Sequence, residues 1–477
     1  GYAHDFVSDV MAPLAKALVE RNVKVIANAG GVNPEACRAA LQAALAAAGV
    51  TRTIALVLGD DLQPRASELR PHLLGFDGEG APPVDTVSMN AYLGAKPIAD
   101  ALAAGADVVI TGRVVDSAMV LGPLLHEFGW TLSDYDQLAQ GSLAGHIIEC
   151  GAQCTGGNFT DWRSVPNHDD MGYPIVSCAT DGSFVVEKPP GTGGLVTRFT
   201  VGEQVLYEIG DPRAYLLPDV TCDFTQVVLH DVGKDRVRVT GARGRAPSPH
   251  YKVSATYVDG HRSTATLMVG GIDAKAKGAH LADAIVARVR RLLSQQGLAD
   301  FRETHVMLLG TEATYGANAR ELLTFAREVL VRIAVVHDDP RALRLFGKEI
   351  AQAATSTVPG IFGLAGGRPK ATPRVRLASC LVPKALVPVS VHVSGAVSAC
   401  AVPVPVGSDV LSAAQEGEAL EGTVAVPLVL LAVARSGDKG DHSNIGVMAR
   451  APEHLPYLRA ALTEAAVAKH FAHVLHP

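Results

Sequence analysis

Three short apolar runs, each ending in a glycine or small polar cluster, constrain this chain more than any other feature. Lys24-Val25-Ile26-Ala27 leads into Asn28-Ala29-Gly30-Gly31-Val32-Asn33, Ile54-Ala55-Leu56-Val57-Leu58 into Gly59-Asp60-Asp61, and Asp107-Val108-Val109-Ile110 into Thr111-Gly112-Arg113. Between the first two lies a helix signature: Asn33 as N-cap, Pro34 at the first helical position, Glu35 in the first turn, then an Ala-rich stretch, Ala36 to Ala48, stopped by Gly49. Strand, helix and strand in this order make a β-α-β unit. In an open parallel sheet the strands deliver their carboxyl ends to one edge, where ligands bind. The pattern therefore places one site at these three strand ends.

Further elements extend the reading. Helices are expected over Phe6 to Arg21, Tyr92 to Ala104 (closed by Gly105), Val115 to Phe128, Gly141 to Gln153 and Gly271 to Leu293, with a strand at Asp107 to Thr111. Thr200-Val201-Gly202-Glu203 matches a capping box opening a helix that runs to Ile209. Strands are expected at Ser183–Glu187, Gln226–His230, Arg236–Thr240 and Tyr251–Tyr257. The fold class is α/β: a Rossmann-like, mostly parallel sheet over about 1–140 with an α+β extension over 141–355. A Pro/Gly-rich linker and extended segment follows at 356–424, and a small α+β domain at 425–477. The apolar run from Val424 to Ala434 reads as a buried strand, being too short to span a membrane, which takes about 18 residues.

Composition excludes several functions. Hydrophobic residues make up 48% of the 477 and charged residues 19%, which suits a well-buried globular protein of two or three domains. A net charge of −6 offers no basic stripe for nucleic acid, and no membrane partner is expected. Seven scattered cysteines do not form a disulfide framework, so a cytoplasmic setting is expected. The chain opens at Gly1, inside what reads as a helix, and stops at Pro477; it reads as a fragment of a longer one.

The polar clusters supply the chemistry. The Asn28–Asn33 turn, with Gly30 and Gly31, precedes a helix N-terminus and could cradle an anion through free backbone N–H groups; it could equally be a tight structural turn. Asp60 and Asp61 could hold a ribose, a metal or a proton, or simply shape a turn. Arg113 has a fork of donors suited to a carboxylate or phosphate, unless it only pairs with Asp116. His146 and Glu149 are acid/base candidates, while Cys150 and Cys154 fit small hydrophobes better than zinc ligands. Gly191-Thr192-Gly193-Gly194 is a second candidate anion loop. The polar stretch Arg435 to Asn444, with Asp438 and Lys439, is longer than a turn between two strands requires; it reads as a loop that is functional or docks on another domain. No metal site and no cofactor are expected.

Taken together, Asn28–Gly31, Gly59–Asp61, Asn90-Ala91-Tyr92-Leu93-Gly94-Ala95, Thr111–Asp116, His126–Trp130, Glu149–Gly157, Lys188–Gly194 and Arg435–Gly440 resemble the acyclic terpene utilisation (AtuA-like) family over nearly the whole chain. The resemblance implies a large N-terminal domain, a C-terminal ferredoxin-like domain, and further chain before Gly1 and after Pro477. It also implies bacterial breakdown of branched terpenoid compounds as CoA thioesters. It supplies no catalytic residues.

The expectation is a lyase acting by hydration/dehydration or carbon–carbon cleavage on a branched acyl-CoA or related carboxylate. Asp60, Asp61, Asp116, His146 and Glu149 are the acid/base candidates. Asn28, Gly30, Gly31, Asn33, Asn90, Tyr92, Arg113, Thr155, Gly156, Gly157, Gly191, Thr192, Gly193, Gly194, Arg435, Asp438 and Lys439 are the binding candidates, with the earlier segments expected to meet around Arg113. The alternatives are a non-catalytic assembly subunit docking through Arg435–Asn444, and a metal-dependent hydrolase. The expected partners are an anionic small molecule and a second copy or partner subunit.

Overall fold

A computed structural model describes the chain except residues 77–79, 321–324, 403–419, 421, 423, 440–441 and 476–477, and the side chains of 364, 365 and 439. The chain divides into two units, Gly1–Ala255 with Leu377–Ala460, and Thr256–Arg376 with Ala461–Pro477.

The three apolar runs of the first unit are neighbours in one sheet, in the order Val25–Ala27, Val108–Thr111, Ile54–Leu58. Val108 is in parallel register with both Val25 and Ile54, so all three strands run the same way. Their apolar continuity has a packing cause. Ile54 and Leu56 face a cluster with Met11, Leu41 and Leu45, whereas Ala55 and Val57 face a larger one with Ile98, Leu102 and Leu121. A strand buried on both faces has no polar side to alternate with. The Pro34–Ala47 helix covers one face and opens as its sequence dictates, the Asn33 side chain accepting from the Ala36 N–H at 3.1 Å. Such a cap is worth about 1 kcal/mol.

The sheet is mixed rather than mostly parallel. Val389–Val393 pairs antiparallel with Ile54–Leu58, and Ala396–Cys400 continues it. These last two strands are joined by Ser394-Gly395, both left-handed (φ 49° and 85°), a turn that can only return the chain antiparallel. The rest of the unit is α+β. A four-stranded antiparallel sheet contains Phe184–Glu187 and Arg236–Thr240, and the Tyr135–Ile148 helix is buried nearly all round.

In the second unit, the helices Ala274–Gln295 and Pro340–Ser356 pack Leu281, Ile285, Val289, Leu343 and Phe346 against one sheet face. That face carries Leu267, Val269, Val331, Ile333 and Val335, which alternate along their strands with less buried residues, the signature of a sheet covered on one side.

Other expectations also need correction. The segment Tyr92–Ala95 is not helical, and the helix starts only at Lys96, because tertiary bonds hold the preceding backbone amides: the Tyr92 N–H donates to Lys252 O and the Ala95 N–H to the Asp219 carboxylate. The helix expected from Thr200 instead spans Arg198–Leu206, with Thr197 as N-cap and Thr200 closing the capping box. Glu203 is released from capping and wholly buried. The polar stretch after Ala434 is no open loop: Ala432–Lys439 and His442–Ala449 pair as an antiparallel hairpin. Val424 to Leu431 is not a buried strand; it includes the 3-10 turn Leu428–Leu430, and Val424, Val426, Val429 and Leu430 are exposed. Of the expected site residues, the Lys439 side chain lies outside the described residues.

Candidate functional site

The strand ends do build a polar centre, and Asp60 is its hub. Asp60 follows the Ile54–Leu58 strand and is 4% exposed. Its Oδ2 accepts from the Arg113 backbone N–H at 2.7 Å and from Asn90 Nδ2 at 3.0 Å, while its carbonyl accepts from the Ala91 N–H at 2.8 Å. Gly112 must lack a side chain, since a Cβ there would sit 2.4 Å from Asp60 Oδ1. Burial raises the Asp60 pKa, the bonds from Arg113 and Asn90 offsetting only part of the effect. Asp61, by contrast, is exposed and accepts from the Gln63 N–H at 3.0 Å, an Asx-type turn.

Arg113 turns its guanidinium over the Tyr92 ring, 4.3 Å from the centroid, with Asp116 Oδ2 4.0 Å away. Its Nε is buried without a partner, and the side chain is 38% exposed, so the fork is partly open to solvent. Tyr92 is further fixed by Ser254, whose hydroxyl donates to the Tyr92 oxygen at 3.1 Å.

The Tyr92–Ala95 segment depends on a buried pair that the sequence reading missed. Both oxygens of Asp219 accept from the Ala95 N–H, at 2.9 and 3.1 Å, and a Cβ on Gly94 would fall 2.4 Å from Asp219 Oδ1. Burial raises the Asp219 pKa. Near it Lys384, 3% exposed, donates to Pro218 O at 2.6 Å, and burial lowers its pKa to about 8. An unfolded lysine keeps its proton to about 10.4. Between about 8 and that value the unfolded state therefore binds more protons, and stability rises with pH. Replacing Lys384 by Met should remove this rise, on the order of 2 kcal/mol, in urea midpoints compared at pH 8 and pH 10.

A second polar group surrounds His146, which is 2% exposed. Its Nδ1 lies 3.0 Å from Glu149 Oε1 and its Nε2 2.8 Å from the Gln204 carbonyl. Nε2 therefore donates to that carbonyl, and with Glu149 against Nδ1 no ring nitrogen is left for substrate. Tyr215 lies beside His146; burial, followed by the charges of Glu149, Cys222, Asp116 and Glu208, raises its pKa. Asp116 thus belongs to the surroundings of both groups. Cys154 is buried and its pKa is raised to about 12, as befits a small hydrophobe.

The remaining binding candidates gather elsewhere. The amides of Gly31, Val32, Asn33 and Ala36 already donate to Asn28 O, Gly1 O, Gly30 O and Asn33 Oδ1, leaving few donors for an anion. Gly30 does reach the centre, its Cβ position lying 2.5 Å from Thr111 O. The Gly193 and Gly194 amides donate to Asp170 O and Pro166 O, and Gly194 abuts Thr155. Thr155 donates to Gly172 O, Gly156 packs on Val165, and Gly157 O accepts from Arg435. Among the described residues, none of these segments makes a hydrogen bond or ion pair with Arg113. A cleft of about 470 Å³ beside the Gly191–Gly194 loop is lined also by Lys188, Thr192, Asp231 and Lys234.

Arg435 is a docking residue. It is 8% exposed, and its Nη2 donates to Glu203 Oε2 at 2.6 Å and to Gly157 O at 3.2 Å, while Glu203 Oε1 accepts from the Thr160 N–H. Asn444 donates to Leu206 O and Ile209 O, and Arg450 pairs with Asp161. Asp438 sits in the same hairpin opposite Ser443. Among the described residues no group of three or more His, Cys, Asp or Glu side chains is arranged to hold a metal ion, and no helix is long and apolar enough to cross a membrane.

The fold and centre define a mixed α/β protein with a buried acid and a partly open arginine at the strand ends. The chain belongs to the acyclic terpene utilisation family AtuA, whose model matches residues 1–393, and the AtuA ferredoxin-like domain matches residues 426–477. No curated protein and no solved structure matches the chain.

Proposed function

We propose that this chain is a catabolic lyase acting on a branched acyl-CoA thioester or related carboxylate, with its reaction centre at Asp60, Arg113 and Asp116. One observation carries the reading: a buried carboxyl with a raised pKa stands beside an arginine whose fork is partly open to solvent. A desolvated carboxyl with a raised pKa holds a proton that it can give to a leaving group. Asp60, desolvated, is the acid. Asp116, partly exposed and beside Arg113, is the base.

In a dehydration, Asp116 takes the proton α to the carbonyl and the electron pair forms the carbon–carbon double bond. The C–O bond to the β-hydroxyl breaks, and Asp60 gives its proton so that water leaves. Arg113 holds the substrate carboxylate or enolate oxygen. Arg435 and Asn444, from the docking element of the assembly-subunit alternative, are engaged within their own unit.

Replacing Arg113 by Ala should raise KM for the anionic substrate by at least tenfold, as expected for loss of a charge-assisted bond of about 1.5–3 kcal/mol. Unchanged KM and kcat in steady-state assays would remove Arg113 from the site.

A further inference from the structure

We infer that Lys252 is a second anion anchor, and that the Tyr92 platform selects a ligand with two carboxylates separated by a short hydrocarbon. The inference rests on the proposed site but not on the lyase chemistry. Lys252 comes from the strand whose carbonyl receives the Tyr92 N–H, so the backbone pairing that shapes the site also delivers this side chain to it. Its ammonium lies 4.6 Å from the Phe76 ring centroid and 5.8 Å from that of Tyr92, whose ring also carries the Arg113 guanidinium. Among the described residues the Lys252 ammonium makes no hydrogen bond or ion pair, and it lies against the two rings. An aromatic face attracts a cation by only about 0.5–2 kcal/mol and neutralises none of its charge. Two cations thus share one ring, with the Asp116 carboxylate 4.0 Å from Arg113.

Chemistry narrows the ligand. Many phosphate sites add converging backbone N–H groups to their cations, but the nearby Asn28–Asn33 turn has spent most of its amides internally. What remains is a guanidinium fork, which fits a carboxylate in bidentate fashion, a separate ammonium, and the Tyr92 ring that both cations approach, which offers apolar contact. A dicarboxylate with a few intervening carbons matches all three.

Calorimetric titration with glutarate, butyrate and inorganic phosphate tests this without needing turnover. Glutarate should bind at least tenfold tighter than butyrate or phosphate. Lys252→Met should reduce glutarate binding to the butyrate level, and Lys252→Arg should largely restore it, with both variants melting like the wild type. Equal binding of glutarate and butyrate, stronger binding of phosphate, or indifference to Lys252→Met would overturn the inference. If glutarate binding depends on Lys252 but no branched acyl substrate turns over, the anchor stands and the lyase reading falls.

Discussion

Replacing Arg435 by Ala should cost about 3–5 kcal/mol of stability, the range for removing one partner of a buried ion pair. The size follows from what is left behind. Glu203 is 0% exposed, and one of its oxygens would keep only the Thr160 N–H, while the other would face a cavity without its cation. Glu203→Ala should cost a similar amount, since it strands Arg435, whose Nε already lacks a partner. The pair as a whole need not be strongly stabilising, because desolvating two charges offsets much of their attraction. The double variant Glu203→Leu/Arg435→Met should therefore be closer to wild type than either single alanine variant. Urea unfolding of the four proteins closes the cycle; additive effects would show that the pair does not couple the hairpin to the Arg198–Leu206 helix.

The second large effect is on catalysis. Asp60→Asn should lower kcat by about 10²–10⁴ on a branched 3-hydroxyacyl thioester, the range for loss of a general acid. Asn can still accept from the Arg113 N–H, so the local geometry should survive while the proton is lost. Asp61→Asn is the matched control one residue away. Asp61 is exposed and occupied in a turn, so its loss should change kcat by no more than a few-fold. Comparable losses in the two variants would mean that charge near the strand ends matters and the Asp60 proton does not.

Much of the first unit was legible because its signals are local. The apolar runs, the Asn33-Pro34 cap and the polar strand ends each reflect one stretch of chain meeting one physical need, and together they pointed to Asp60 and Arg113. What the sequence hid are pairings across long separations. Asp219 and Lys384, which underlie the Tyr92–Ala95 segment, lie in stretches with no motif of their own. Glu203 imitated a capping residue because Thr200 and Glu203 have the right spacing, whereas Thr197, three residues earlier, takes the cap. Arg435 to Asn444 read as a loop because strands that dock polar side chains onto another element lose apolar alternation. Gly30, Gly31, Gly193 and Gly194 of the two anion-loop candidates were real signals of close backbone approach, but that approach is to carbonyls and side chains of the same unit. Lys252 was invisible for the same reason: only the backbone bond from the Tyr92 N–H to its carbonyl brings it to the ring.

The pH dependence of kcat for wild type and Asp60→Asn bears most directly on the central claim. An acid that must be protonated loses activity as pH rises through its pKa, and burial raises the Asp60 value from that of an ordinary aspartate. The account predicts a descending limb in the wild type at a pH higher than a solvated aspartate would give, and its absence from the small residual activity of Asp60→Asn. An unchanged limb in Asp60→Asn would contradict it.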